Sequence, residues 1–491
     1  MKGIAILLSV VFLVAGSSLI MGCATREDRV VPRADAPRFP FPQRAFNQLA
    51  VAPMMPTVRT QAQMDDTIIG LFREILRNDL IVDSGGPQTR EGFRMVFRHS
   101  LGPDVPISHI TTSEVHGYGM MILAYMAGIE ERLGLSSGEW IFGSTGLRDY
   151  FDAMLRTVRA FSSNMGSSMF TLRLFGYQDI SLAGVTQGGY RVVDGVKFAP
   201  FTRDTVHGNS TTGDNMDIIY ALILADRQWG SGGRYDYIGI ARAMLADLWT
   251  YCVHEDLNVL LLGDWAKVTG NPVHSNTVRT SDLMISHLKA FRDVDPAHDW
   301  QAVIDASFNV IREIRDAQNG LGNTNGLLPD FAMRGATGWV VPPGNIIDAF
   351  DDAFAYSAFR VPLRLGITYM LFGNVAIGGS TLRDYIIGPL DDFARAFTAG
   401  SNLSRLGPLN MNGTPFGWAE PNLFAPTFAV TAAAVGADQQ WVNAFWGYSP
   451  DNADQFQGLG AYLGDTHGDY IRLIVLLTLT GNYWCPVHGG R

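Results

Sequence analysis

From Met64 onward, apolar residues recur every three to four positions in stretch after stretch. Each stretch ends in a cluster of Gly, Pro, Asn or Asp, and runs that alternate with a period of two are few. A chain patterned this way buries its apolar stripes by packing helix on helix, and its class is all-α. Twelve helices are predicted, at 64–78, 113–133, 146–163, 214–229, 234–252, 278–292, 298–317, 356–372, 381–399, 425–436, 438–446 and 461–481. The connections 164–213, 253–277, 318–355 and 400–424 are long and carry many of the aromatic and polar residues. Loops of such length in a compact body are usually functional or partly structured. A helical barrel, two stacked bundles and a solenoid all satisfy the pattern. No repeated period favours the solenoid, and no break in composition divides the body, so one large helical domain is expected.

Of the 491 residues, 47% are hydrophobic, which excludes disorder as the dominant state. The formal net charge of -10 gives no general drive toward nucleic acid or an anionic membrane. Ten histidines are scattered without His-Glu-x-x-His spacing, and no Gly-x-Ser-x-Gly elbow occurs. Between Gly320 and Gly326 the glycines suggest a dinucleotide loop, but the last is one place late and no strand precedes it. No metal or organic cofactor is implied.

Residues 1–22 carry Lys2, an apolar run over 4–15, and the ending Ile20-Met21-Gly22 before Cys23. That is the layout of a secretory signal. The stretch resembles a bacterial lipobox, in which the cysteine is lipidated and becomes the mature N-terminus. That resemblance implies a lipid anchor on Cys23 at the bacterial cell envelope, with Ala24 in place of Asp favouring the outer membrane. A short membrane anchor or an ordinary signal with an incidental Cys are the competing readings. The expected organisation is a signal over 1–22, a lipidated Cys and Pro-rich tether over 23–63, and a helical domain over 64–491, as a monomer. Cys252 and Cys485 then remain, either paired or as two buried thiols.

The chemistry left to such a chain is that of carboxylates in polar, aromatic surroundings, the equipment of glycoside hydrolysis. The strongest locus is Ser113-Glu114-Val115-His116-Gly117-Tyr118-Gly119-Met120, with Glu114 at a helix start. Each glycine there costs a helix about 1 kcal/mol relative to Ala, which suggests close approach by another group. Another backbone would serve as well as a sugar ring, and a capped helix with small packing residues explains the spacing equally.

The segment is similar to the Ser-Glu-Gly-x-Gly-Tyr-Gly-Met motif of glycoside hydrolase family 8. Six further stretches agree in order: from Asn209 through Asp217 to Gly230; Gly263-Asp264-Trp265-Ala266; Arg279-Thr280-Ser281-Asp282 with His287; Gly326 to Phe331; Tyr356 to Arg364; and Asp469 to Trp484. The resemblance covers nearly everything after residue 64. It implies an (α/α)6 barrel of about twelve helices and an inverting mechanism. It places the general acid on Glu114, a sugar-stacking platform on Trp265, and orienting roles on Arg279, Asp282, Tyr356 and Arg360.

Two departures stand out. Where the family has Asp-Gly-Asp, this chain has Gly213-Asp214-Asn215. The shifted carboxylate of Asp214, expected to support the sugar ring, is turned by about 100° unless the loop compensates. At the family's usual base position stands Ser357, which cannot accept the proton. A branch that includes chitosanases takes its base from the preceding loop, and there Asp348 falls on the position of a Glu. Asp351 and Asp352 are nearby substitutes. Such a base stands across a water, roughly 6.5–9.5 Å from the acid. The expected protein is therefore an inverting endo-hydrolase of β-1,4-linked polysaccharide, with chitosan or β-glucan ahead of xylan. The rival is a catalytically impaired surface lipoprotein that binds glycan without turnover.

Overall fold

The computed structural model describes residues 36–83, 89–99, 109–135, 138–175, 191–193, 196–198, 201–203, 208–347, 349–447 and 456–487. Pro37–Arg491 forms one compact unit, distinct from Met1–Ala36. Its helices are α1 Gln61–Asn78, α2 Ser113–Tyr125, α3 Glu130–Leu133, α4 Leu147–Ala160, α5 Thr212–Trp229, α6 Tyr237–Cys252, α7 Ile285–Val294, α8 Trp300–Gly320, α9 Val361–Phe372, α10 Gly388–Phe397, α11 Pro421–Val435, α12 Gln439–Ala444 and α13 Thr466–Leu479.

Six of them close a ring: α2 packs on α5, α5 on α7, α7 on α9, α9 on α11, α11 on α13, and α13 on α2 again. Outside it, α1 lies on α13, α4 on α2, α6 on α5, α8 on α7, and α10 and α12 on α11. Inner and outer helices alternate along the chain, so the architecture is an (α/α)6 barrel. Side-chain patterning explains who goes where. Inner helices α2, α5, α9 and α11 bury nearly every residue, as helices apolar all round must. Outer α8 buries Trp300, Val303, Ile304, Ile311 and Ile314 and turns Asp305 and Asp316 to solvent. Short strands trim the barrel, among them an antiparallel sheet of Thr277–Arg279, Phe331–Arg334 and Trp339–Val340.

Several expected helices begin or end elsewhere, three of them for a visible local reason. The run 113–133 breaks after Tyr125, where Gly128 takes a φ of +94°. The span 278–292 starts as the strand Thr277–Arg279 and a short turn before α7, and 356–372 becomes helical only after Arg360, with Pro362 in the first turn. Part of the expected tether is body: Phe41 is buried, Phe39 stacks on Trp484 with ring centres 4.6 Å apart, and Met54 N–H donates to Ala433 O at 2.8 Å. Aromatic and aliphatic side chains between the prolines of this segment find apolar partners there. Cys252 and Cys485 are both buried, and no disulfide joins them. Cys23 and the signal lie outside the described residues.

Two devices hold the ring together near the site. At Gly117 a Cβ would stand 2.9 Å from both Asp214 O and Asp217 Cβ, so α5 packs directly against the α2 backbone. The glycine is therefore explained by another helix. One turn deeper, Arg364 of α9 makes a two-pronged pair with Asp217 of α5, one prong at 2.8 Å, and His287 of α7 reaches the same carboxylate at 2.9 Å. Burial works against the Asp217 charge, but Arg364 and the His287 hydrogen bond hold its carboxyl below the usual range.

Gly117→Ala is expected to lower stability in thermal or urea unfolding, because overpacking against main chain costs about 1–3 kcal/mol against about 1 kcal/mol of recovered helix propensity. Arg364→Met is expected to cost about 3–5 kcal/mol in the same measurement, since it leaves the Asp217 carboxylate buried and without its main counter-charge.

Candidate active site

Alternation of inner and outer helices makes the inner six run the same way, so their N-terminal ends gather at one mouth of the barrel. The site is built there. Thr112 caps α2 by accepting from Val115 N–H at 3.4 Å, which puts Glu114 in the first turn. A helix start favours an anionic side chain. Only 17% of the Glu114 side chain is exposed.

Its two oxygens have different surroundings. Oε1 accepts from Tyr118 OH at 2.9 Å and from the Arg360 guanidinium. Tyr118 follows Glu114 by one helical turn, and Arg360 precedes α9. Oε2 faces Nε2 of His467, in the first turn of α13, 3.0 Å away. Burial, with Arg360 adding to it, pulls the His467 imidazole down to about 4, against the opposing charges of Asp465 and Asp214. His467 is thus neutral near pH 7.

The displaced Asp214 reaches this mouth. In the first turn of α5, it accepts from Ser113 Oγ at 2.6 Å and from the Thr211 hydroxyl. Burial raises its carboxyl above the ordinary range, and the two hydroxyls pull the other way. Asp214 therefore lies against the start of α2, because Ser113, the residue beside Glu114, holds its carboxylate.

Before α7, Arg279 lies over the Phe331 ring at 5.4 Å and within 3.4 Å of Asp282. Asp282 is buried, and its carboxyl is pushed up by that burial although Arg279 opposes it. Asp330 braces the neighbouring turn by accepting from Ala355 N–H at 3.0 Å and Ala358 N–H at 2.6 Å, which aims Arg360 at Glu114. Trp265 is half-buried in the loop between α6 and α7, edge-on to His274 at 4.9 Å. Tyr356 donates its hydroxyl to Glu420, the residue immediately before α11, at 2.5 Å.

The candidate bases divide. Asp348 lies outside the described residues. Asp351 is buried and accepts from the backbone N–H groups of Ile346 and Ile347, the latter at 2.6 Å, so it staples its own loop. Asp352 is exposed. Among the described residues, no three His, Cys, Asp or Glu side chains come together as metal ligands. Sequence reasoning missed Tyr118, His467 and Glu420. Tyr118 was legible as the residue one turn beyond Glu114 on the same face, whereas nothing local points to His467.

Known proteins match along much of the chain. The profile described as Glycosyl hydrolases family 8 matches residues 175–371. A protein named Beta-glucanase from Niallia circulans is 26% identical over 375 residues, which cover 76% of this chain and 77% of that one. A protein named Endoglucanase from Bacillus sp. (strain KSM-330) is 26% identical over 461 residues, covering 91% of this chain and 82% of its own length. Among solved structures, the apo form of a β-1,3-1,4-glucanase from Paenibacillus sp. X4 superposes with a TM-score of 0.70 at 25% identity, covering 92% of this chain and all of that one. A cold-adapted family 8 xylanase, at 13% identity and a TM-score of 0.60, shares the fold over 89% of this chain and 98% of its own. A six-on-six helical barrel with a carboxylic side chain at its mouth, joined to these matches, makes this chain a glycoside hydrolase similar to family 8, whose profile it matches over residues 175–371.

Proposed function

We propose that this glycoside hydrolase is an inverting, endo-acting enzyme of β-linked glucan, with Glu114 as general acid and Asp348 as general base. The observation that carries it is the arrangement around Glu114. With Oε1 taken by two donors, Oε2 is the oxygen left to carry a proton. It lies beside a neutral His467 that does not compete as a cation. In the proposed step Glu114 gives that proton to the glycosidic oxygen as the bond to the anomeric carbon breaks. A water attacks the same carbon from the opposite face, and the base takes the water's proton. One product keeps the leaving hydroxyl, and the other is a hemiacetal of inverted configuration.

Asp348 is preferred as base because Asp351 is committed to two backbone N–H groups, which leaves Asp352 as the substitute from the same loop. Asp214, Arg279, Asp282, Trp265, Tyr356 and Arg360 would hold and orient the sugar. The names of the relatives, a β-glucanase and an endoglucanase, favour β-glucan over chitosan and xylan. A surface protein that binds glycan without turnover rests on the replacement at Ser357 and the shift of Asp214, and Asp214 returns to the mouth all the same. Export as a lipoprotein anchored through Cys23, most simply at the outer membrane and as a monomer, completes the proposal.

Reducing-sugar release from lichenan, carboxymethyl cellulose, chitosan and xylan tests it, with the greatest rate expected on a β-glucan. Glu114→Gln is expected to lower kcat by about 10²–10⁴-fold, and an intact rate in that variant sinks the assignment of the acid. Asp348→Asn is expected to fall as far while Asp352→Asn stays close to the unaltered enzyme, and the reverse result moves the base to Asp352. Proton NMR during early turnover is expected to show the α-anomer first. Initial release of the β-anomer would mean retention and overturn the mechanism.

A further inference from the structure

Five of the six inner helices deliver a residue to the mouth at or just before their N-terminal ends: Glu114 on α2, Asp214 on α5, Asp282 before α7, Arg360 before α9 and His467 on α13. The sixth, α11, is preceded by Glu420, and two residues earlier stands Trp418. Among the described residues, six large apolar side chains are exposed, and Trp418 is the aromatic one, at 42%.

The ring is fixed in place. Its Nε1–H points at Glu420 Oε1 at 3.2 Å and lies 3.4 Å from Tyr356 OH, while Tyr356 donates to that same carboxylate oxygen. Phe350 meets the indole nearly edge-on with ring centres 5.9 Å apart, and Phe416 flanks it at 5.7 Å. The backbone is equally restrained, since Glu420 N–H donates to Leu406 O at 3.0 Å and Leu409 exchanges two 2.9 Å hydrogen bonds with Phe354. Phe354 precedes Tyr356 by two residues. A tryptophan that only covers its own loop has no need of a hydrogen-bonded edge beneath a solvent-facing ring. One that receives a ligand gains by being oriented before the ligand arrives.

We propose that Trp418 is a stacking platform for a pyranose ring of the substrate chain, in a subsite beside the cleavage point, with Glu420 and Tyr356 locking the indole and Glu420 Oε2 accepting from a sugar hydroxyl. The apolar face of an equatorially substituted pyranose suits an indole ring, and the carboxylate supplies the polar contact at its edge. Tyr356 joins this platform to the catalytic group, because it opens the turn that ends in Arg360 on Glu114. The subsite deepens the glucan-hydrolase reading and rests on it.

Binding in the absence of turnover tests the subsite separately from the chemistry. With the Glu114→Gln protein and cellohexaose as the probe in calorimetry, adding Trp418→Ala is expected to raise Kd roughly tenfold, the scale of one aromatic contact. Trp418→Tyr in the same background is expected to recover most of that loss, because it restores an aromatic face. Equal Kd values with and without Trp418→Ala overturn the subsite while the hydrolase reading stands. An equal loss in the Ala and Tyr variants also overturns it, by showing that the indole matters to the loop and not to the sugar. If the Glu114→Gln protein binds no saccharide at all, the glucan-hydrolase reading and this subsite fall together.

Discussion

The contact between α2 and α5 at Gly117 sets the dimensions of everything at the barrel mouth. A side chain there would meet the carbonyl oxygen of Asp214 and the Cβ of Asp217. Without it, the first turn of α5 lies against the first turn of α2, and the Asp214 carboxylate reaches Ser113, the neighbour of Glu114. Helices held this closely leave no room for water between them. Small displacements are therefore felt directly at the acidic groups, as close packing in protein interiors requires.

Charge in the barrel is arranged in two layers. The upper layer, at the mouth, is partly wet and holds Glu114, Asp214, Arg279 and Arg360. The lower layer is dry, with Asp217, Arg364, His287 and Tyr118 all buried. Tyr118 connects the two, donating upward to Glu114 while Arg364 approaches its oxygen at 3.4 Å from below. Buried pairs of this kind are weak contributors to stability in themselves, because desolvation offsets much of the attraction. Their worth here is orientation: the Arg364 pair ties α5 to α9, His287 adds α7, and the donors at Glu114 inherit that registration.

Much of the architecture was readable in the periodicity of apolar residues. All twelve predicted helical stretches contain helix, and the departures occur where a local cause intervenes, such as the positive φ of Gly128 or Pro362 in the first turn of α9. The segment after Pro37 was harder to read, because prolines describe a stiff chain equally well whether it hangs free or lies on a surface. Phe39 and Phe41 carry the difference, and their partners are far along the chain. Glu114 was singled out from its own neighbourhood in sequence. The carboxylate of Asp351 was not distinguishable from that of Asp352 until one of them turned inward to its own backbone.

The helical class and the position of Glu114 at a helix start were legible in local patterning, because helical periodicity and a residue's place in the first turn are properties of three or four neighbouring positions. The sequence also carried the family resemblance. Which groups touch Glu114 depends on the closed barrel. His467 lies more than three hundred residues further along, and Arg360 comes from the turn before α9. Meetings of that kind depend on closing a ring of six helices. Ring closure is set by how side chains on separate helices interdigitate, a relation that no single stretch of sequence contains.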